Sequence, residues 1–171
     1  KALSSSLPGA EWLSPDAFDA LPGGGRAWFS LDGVTDQNRA ARVRAAGEKV
    51  ALWIDDELQK RKLGWDKLVL VGFSQGSMLS SWLAVHKQPA AVVAFSGRFA
   101  DDDATTKTKT PVLIVHGTAD PMIPVRSAEE ARVALEARGA RVTVSIHPGL
   151  AHGIDAQGLT EAREFLLREV K

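Results

Sequence analysis

The chain has no cysteine among its 171 residues. That excludes a disulfide framework, a thiolate nucleophile and a cysteine-ligated metal. It has no excess of either charge, since 21 basic and 21 acidic side chains cancel to a formal net charge of zero. No basic block suggests nucleic acid as a partner, and no charge excess suggests a membrane surface. No apolar run approaches the roughly 18 residues of a membrane span. Neither G-x-G-x-x-G nor G-x-x-x-x-G-K-[ST] occurs and no clustered metal ligands are visible, so nucleotide binding and metal hydrolysis have little support. The absence of cysteine does not fix the compartment. No signal peptide is visible, and the cytoplasm is the expected location. The first residue is Lys1 rather than Met, so the start is expected to be processed, cut or incompletely given.

What is present, 44% hydrophobic and 25% charged residues, suffices for one domain, residues 1–171, with a real core. It is organised around residues 67–87, KLVLVGFSQGSMLSSWLAVHK. Leu68, Val69, Leu70 and Val71 read as a buried strand. A sharp turn follows at Gly72-Phe73-Ser74-Gln75-Gly76, and then Met78, Leu79, Trp82, Leu83 and Val85 recur at helical spacing. Strand, G-x-S-x-G, helix is the nucleophile elbow. Gly72 and Gly76 are expected to leave room in a strained turn that lifts the Ser74 hydroxyl above the sheet. The Gln75 backbone N–H, in the first helical turn, is expected to face the reacting centre as an oxyanion donor.

Along the chain, residues 1–7 read as the last turn of a helix, broken at Pro8-Gly9, and residues 10–14 as a short strand. Residues 16–33 are loop-like yet carry Trp28, Phe29 and Leu31, which either cover the core or line an acyl pocket. Thr35 or Asp36 caps a long helix running to about Lys62, with Gly64 ending it. Residues 90–95 and 112–115 are further buried strands. Asp101-Asp102-Asp103 could hold a metal but reads more simply as a solvated loop. Ser127 and Glu130 form a capping box for a helix to Arg138, closed by Gly139. Residues 141–147 alternate, as a strand nearer an edge does, and a last helix runs from about Gln157. Continuous apolar strands separated by helices predict a mostly parallel sheet covered on both faces, with ligands at the carboxyl ends of its strands.

Three loops leave those ends with one useful side chain each: Ser74, Asp120 and His152. Nucleophile, acid, histidine is the α/β-hydrolase order. A serine hydroxyl needs a base to take its proton, a neutral imidazole can do so, and a carboxylate on its other nitrogen holds the tautomer. His147 is the main rival to His152, and Asp155 the alternative to Asp120, although Asp155 more simply caps the last helix. His86 is expected to face the helix dipole or solvent, and His116 to be a hydrogen-bonded structural residue.

Residues 72–76, residues 116–125 (HGTADPMIPV) and residues 149–154 (GLAHGI) resemble the three signatures of the phospholipase/carboxylesterase family. The stretch Arg26-Ala27-Trp28-Phe29-Ser30 is similar to that family's tryptophan-phenylalanine loop. The resemblance implies an α/β-hydrolase fold and a serine hydrolase with Ser74 as nucleophile, Asp120 as acid and His152 as base. It implies small or medium-chain ester or thioester substrates, no cofactor and no metal. Trp28, Phe29, Leu31, Met122, Ile123 and Leu150 become the candidate acyl contacts. The family begins with further strands and a histidine-glycine loop giving a second oxyanion donor. This sequence lacks those amino-terminal strands and that loop, so the segment is expected to have been cleaved or left out. A small-molecule ester is the expected partner, with a homo-oligomer or association with a cleaved amino-terminal segment as further expectations. Two alternatives stand beside the carboxylesterase: an acyl-protein or lysophospholipid thioesterase-type hydrolase, and a truncated fragment that binds or self-associates without turnover.

Overall fold

In the computed structural model, which describes residues 3, 7 and 9–170, the chain runs β1 (Asp19–Ala20), β2 (Arg26–Ala27), α1 (Asp36–Arg61), β3 (Val69–Phe73), α2 (Gln75–His86), β4 (Ala91–Phe95), β5 (Pro111–Gly117), α3 (Arg126–Glu136), β6 (Arg141–His147) and α4 (Ala156–Glu169). Strands β3 to β6 lie side by side in chain order, and every pairing among them is parallel. The alternation of side chains across a strand splits the core in two. Val92, Ala94, Val112 and Ile114 meet α2 and α3 on one face. Val93, Phe95, Leu113 and Val115 meet Ala162, Phe165 and Leu166 of α4 on the other. The expected parallel sheet with helices on both faces is therefore present, and β6 lies at its edge.

Helix α1 is held one layer out, against α2. Its buried stripe of Val43, Ala46, Val50, Ile54 and Leu58 packs on Met78, Leu79, Trp82 and Leu83. At Gly47 any Cβ would overlap the Trp82 ring, so the glycine sets how closely the helices approach. The capping box at the start of α1 is Thr35 with Asn38.

Several local expectations are corrected. Residues 10–14 form no strand, and the stretch read as loop carries the small antiparallel ribbon β1–β2. Helix α1 ends on Lys62 in the left-handed conformation, φ 56°, two residues before Gly64. No capping box starts α3: Val125 occupies the cap, and Ser127 is buried inside the first turn. The end of α3 falls two residues early, within ordinary helix fraying. The expected helix tail at residues 1–7 lies mostly outside the described residues.

Candidate active site

Ser74 sits where a strand must become a helix at once. Its N–H still donates to Phe95 O of the neighbouring strand at 3.0 Å, while its own carbonyl accepts from Met78 N at 3.2 Å. Satisfying both forces φ 55° and ψ −115°, a strained conformation for a residue with a Cβ. Gly72 makes the turn possible, because a Cβ there would overlap the Gly76 carbonyl and the Ser77 N. The expectation for Gly76 is corrected: a Cβ there would meet only Trp28 Nε1, at an ordinary 3.8 Å. The glycine on the other flank is Gly97, where a Cβ would overlap Ser77 Oγ and come to 3.3 Å from Ser74 O.

His152 lies in the loop after β6 and reaches across to the elbow. Its Nε2 is 3.1 Å from Ser74 Oγ, and its Nδ1 is 2.8 Å from Asp120 Oδ2. The Phe73 ring packs on the imidazole at 4.8 Å between centroids and fixes its tilt. Asp120 Oδ1 is occupied by the amides of Met122 and Ile123, at 2.8 and 2.9 Å. Burial pushes the Asp120 carboxyl pKa up, but the His152 bond and the two amides outweigh it and hold it below the usual carboxylate value. His116 is fully buried and its Nε2 is 2.9 Å from Ile123 O, bracing the same turn as expected.

The other histidines have other partners. His86 stacks on Trp82, 4.1 Å between centroids, and its Nε2 lies 3.2 Å from Asp101. It sits in the last turn of α2 and is partly exposed, as expected, with the Asp101 carboxylate as an additional partner. The Asp101 side chain has no exposed surface and is also 3.6 Å from Arg138, so it is not part of a solvated loop. No group of three or more His, Asp or Glu that could hold a metal occurs among the described residues.

His147 Nδ1 is 2.9 Å from Asp155 and its Nε2 is 3.1 Å from Glu161. Asp155 also caps α4 through Gly158 N. Burial pulls the His147 pKa down, but the two carboxylates prevail and the pKa is raised. A raised histidine pKa stabilises the fold below the unfolded-state pKa, and the gain disappears as pH climbs through the folded-state pKa. The lowered pKa values of Asp155 and Glu161 keep their share until the pH falls into the carboxylate range. The cluster is therefore expected to contribute most between about pH 5 and 6.5. Melting curves at pH 5.5 and 8.5 should show a wider gap between wild type and His147→Gln at the lower pH. An equal gap would mean that only packing was lost.

Sequence reading missed the Gln75 side chain. Its Oε1 accepts from Trp28 N at 2.8 Å and its Nε2 donates to Phe29 O at 2.9 Å. One amide thus pins the 28–29 segment to the elbow. Trp28 is half-buried, Leu31 and Met122 are exposed and Leu150 is half-buried. Phe29 and Ile123, expected as acyl contacts, are instead buried in the α1–α2 core. Gln75→Ala should cost about 1–3 kcal/mol, because it strips both partners from a half-buried backbone pair. Faster proteolysis within residues 16–33 would report the released segment, and unchanged cleavage would show that the amide does not hold it.

An elbow serine, with an imidazole and a carboxylate brought to it by later loops of a parallel sheet, is the construction of an α/β-hydrolase. Comparison with known proteins narrows this class. The chain belongs to the phospholipase/carboxylesterase family, whose model matches residues 3–169, and it is a hydrolase of the carboxylesterase type. It is 37% identical to esterase YpfH of Escherichia coli over 169 residues, covering 90% of this chain and 71% of that protein. It is 26% identical to acyl-protein thioesterase 1 of Neurospora crassa over 151 residues, covering 81% of this chain and 62% of that protein. The crystal structure of esterase PE8 superposes with a TM-score of 0.82 at 31% identity, over 92% of this chain and 77% of that one. No helix among the described residues is long and apolar enough to cross a membrane.

Proposed function

We propose that Ser74, His152 and Asp120 act as nucleophile, general base and orienting acid, and that the protein cleaves small or medium-chain acyl esters through an acyl-serine. The observation that carries this reading is the continuous line of contacts: 3.1 Å from Ser74 Oγ to His152 Nε2, then 2.8 Å from His152 Nδ1 to Asp120. As Oγ bonds to the carbonyl carbon, its proton passes to Nε2 and the carbonyl π pair moves onto oxygen. The Gln75 N–H, in a helical turn whose amides have no intrahelical acceptor, donates to that oxyanion. Collapse expels the alkoxide, which takes the proton from Nε2. Water then repeats the sequence on the acyl-serine and restores the Ser74 hydroxyl. Asp120 keeps the proton on Nδ1 before each attack and stabilises the imidazolium after it. Trp28, Leu31, Met122 and Leu150 contact the acyl chain. A fluorophosphonate probe should label the protein and fail to label Ser74→Ala. Labelling that survives this substitution would end the reading.

The similarity to an acyl-protein thioesterase supports a second reading, in which the same three residues cleave thioesters. A thiolate leaves with little help from a general acid, so a thioester depends less on the proton held at Nε2. Assaying an oxygen ester and a thioester of one acyl group separates the two. A kcat/KM for the thioester no higher than its greater chemical reactivity explains would favour the carboxylesterase.

A further inference from the structure

His152 stands between two hydrogen-bonded tethers of the loop that joins β6 to α4. On the side before it, Leu150 O accepts from Ala119 N at 3.0 Å and Gly149 N donates to Thr118 Oγ1 at 2.8 Å. Both partners belong to the loop that carries Asp120, the residue on the Nδ1 side of the imidazole. On the side after it, Gly153 O accepts from Ser96 Oγ at 3.0 Å. Ser96 belongs to the segment that leaves β4, so the second tether has a different anchor.

That anchor is the flank of the elbow. Phe95 O accepts from Ser74 N at 3.0 Å. A Cβ at Gly97 would overlap Ser77 Oγ and come to 3.3 Å from Ser74 O. Ser96 lies between these two contacts, and its hydroxyl joins the backbone packed on Ser74 to the residue that follows His152. It therefore bridges the same two parts of the chain that Ser74 Oγ and His152 Nε2 bring together at 3.1 Å.

A serine is costly at this position. Its φ is 46°, in the region where glycine is the unstrained choice. The residue is fully buried, and a buried hydroxyl destabilises the fold unless it is hydrogen-bonded. The backbone does not need the side chain, because Ser96 N donates to Val115 O at 2.9 Å and glycine would make that bond equally well. What glycine could not supply is the bond to Gly153. Strain retained in this way collects at functional sites, and Ser96 shares it with Ser74, whose φ is 55°.

We propose that Ser96 is a positioning residue, whose hydroxyl holds the His152 loop at the distance from Ser74 that lets the imidazole take the serine proton. This rests on the assignment of Ser74 as nucleophile. Ser96→Ala and Ser96→Gly both remove the hydroxyl, but only alanine keeps the strain. Ethyl butyrate hydrolysis followed by pH-stat, the rate of fluorophosphonate labelling and the melting temperature compare them. Both variants should lose about ten- to a hundredfold in kcat and in labelling rate, with KM changed less than about threefold, as a displacement approaching 1 Å at the reacting groups requires. Ser96→Gly should melt above Ser96→Ala and yet be no more active, whereas a merely structural role would make activity follow melting temperature. If Ser96→Ala does not fold, the kcat and KM of Ser96→Gly decide. Wild-type kcat in Ser96→Gly, a loss confined to KM, or activities that rank with melting temperature would overturn the proposal. Those results leave the Ser74 assignment intact, while a wild type that neither turns over nor is labelled would remove that assignment and this proposal with it.

Discussion

Ser74→Ala is expected to lower kcat/KM for esters by about 10⁴- to 10⁶-fold while the protein stays folded. The serine hydroxyl is the atom aligned with His152 Nε2, at 3.1 Å, and alanine offers nothing for the imidazole to deprotonate. His152→Ala should cost a similar amount. The double variant should be hardly worse than either alone, because in the proposed mechanism the two side chains act in one step and their losses do not add. Additive losses would mean that they serve separate steps. The same position makes a stability prediction with no catalytic content. Its φ of 55° costs about 1–3 kcal/mol for a residue with a Cβ, and alanine keeps that strain whereas glycine does not. Ser74→Gly should therefore melt above Ser74→Ala although both are expected to be inactive. The reverse order would show that the elbow carries no strain.

That strain was legible before any coordinates, because G-x-S-x-G between an apolar strand and an amphipathic helix is a local pattern. The loops carrying Asp120 and His152 were legible for the same reason: each follows an apolar strand, and Asp155 takes the capping role expected for it. What escaped depends on partners far away in the chain. The Gln75 side chain meets Trp28 across 47 residues. The buried Ser96 hydroxyl meets Gly153 across 57 residues. Asp101 looked solvated beside two other aspartates, but Arg138 and His86 draw it inward. Ser127 and Glu130 matched the letters of a capping box, yet Ser127 lies within the first turn of α3 and the cap falls on Val125. Local propensity is a weak prior, and packing overrides it at element ends.

Gly117→Ala is expected to damage activity and stability together, although residue 117 is not one of the three proposed catalytic residues. Gly117 ends β5 and pairs with His147 on β6. Beyond it the two loops are laced together: Thr118 N to His147 O at 3.0 Å, Ala119 N to Leu150 O at 3.0 Å, and Gly149 N to Thr118 Oγ1 at 2.8 Å. One of these loops presents Asp120 and the other His152. A Cβ at residue 117 would overlap the Leu150 carbonyl, closer than the 3.0 Å that real Cβ atoms essentially never breach. The obstacle is backbone, so it cannot rotate away, and residues 148–153 must shift as a unit. Overpacking of this kind costs about 1–3 kcal/mol, and a displacement of about 1 Å at a reacting group costs on the order of a hundredfold in rate. The Gly117→Ala protein should accordingly melt lower and lose at least about a hundredfold in kcat/KM. Gly153→Ala is the control, since it lies beside His152 yet a Cβ there has nothing within 4 Å. Near-wild-type turnover from Gly153→Ala alongside a crippled Gly117→Ala would show that the spacing of the two loops sets the Asp120–His152 contact. Equal behaviour of the two variants would show that this spacing is not what holds them together.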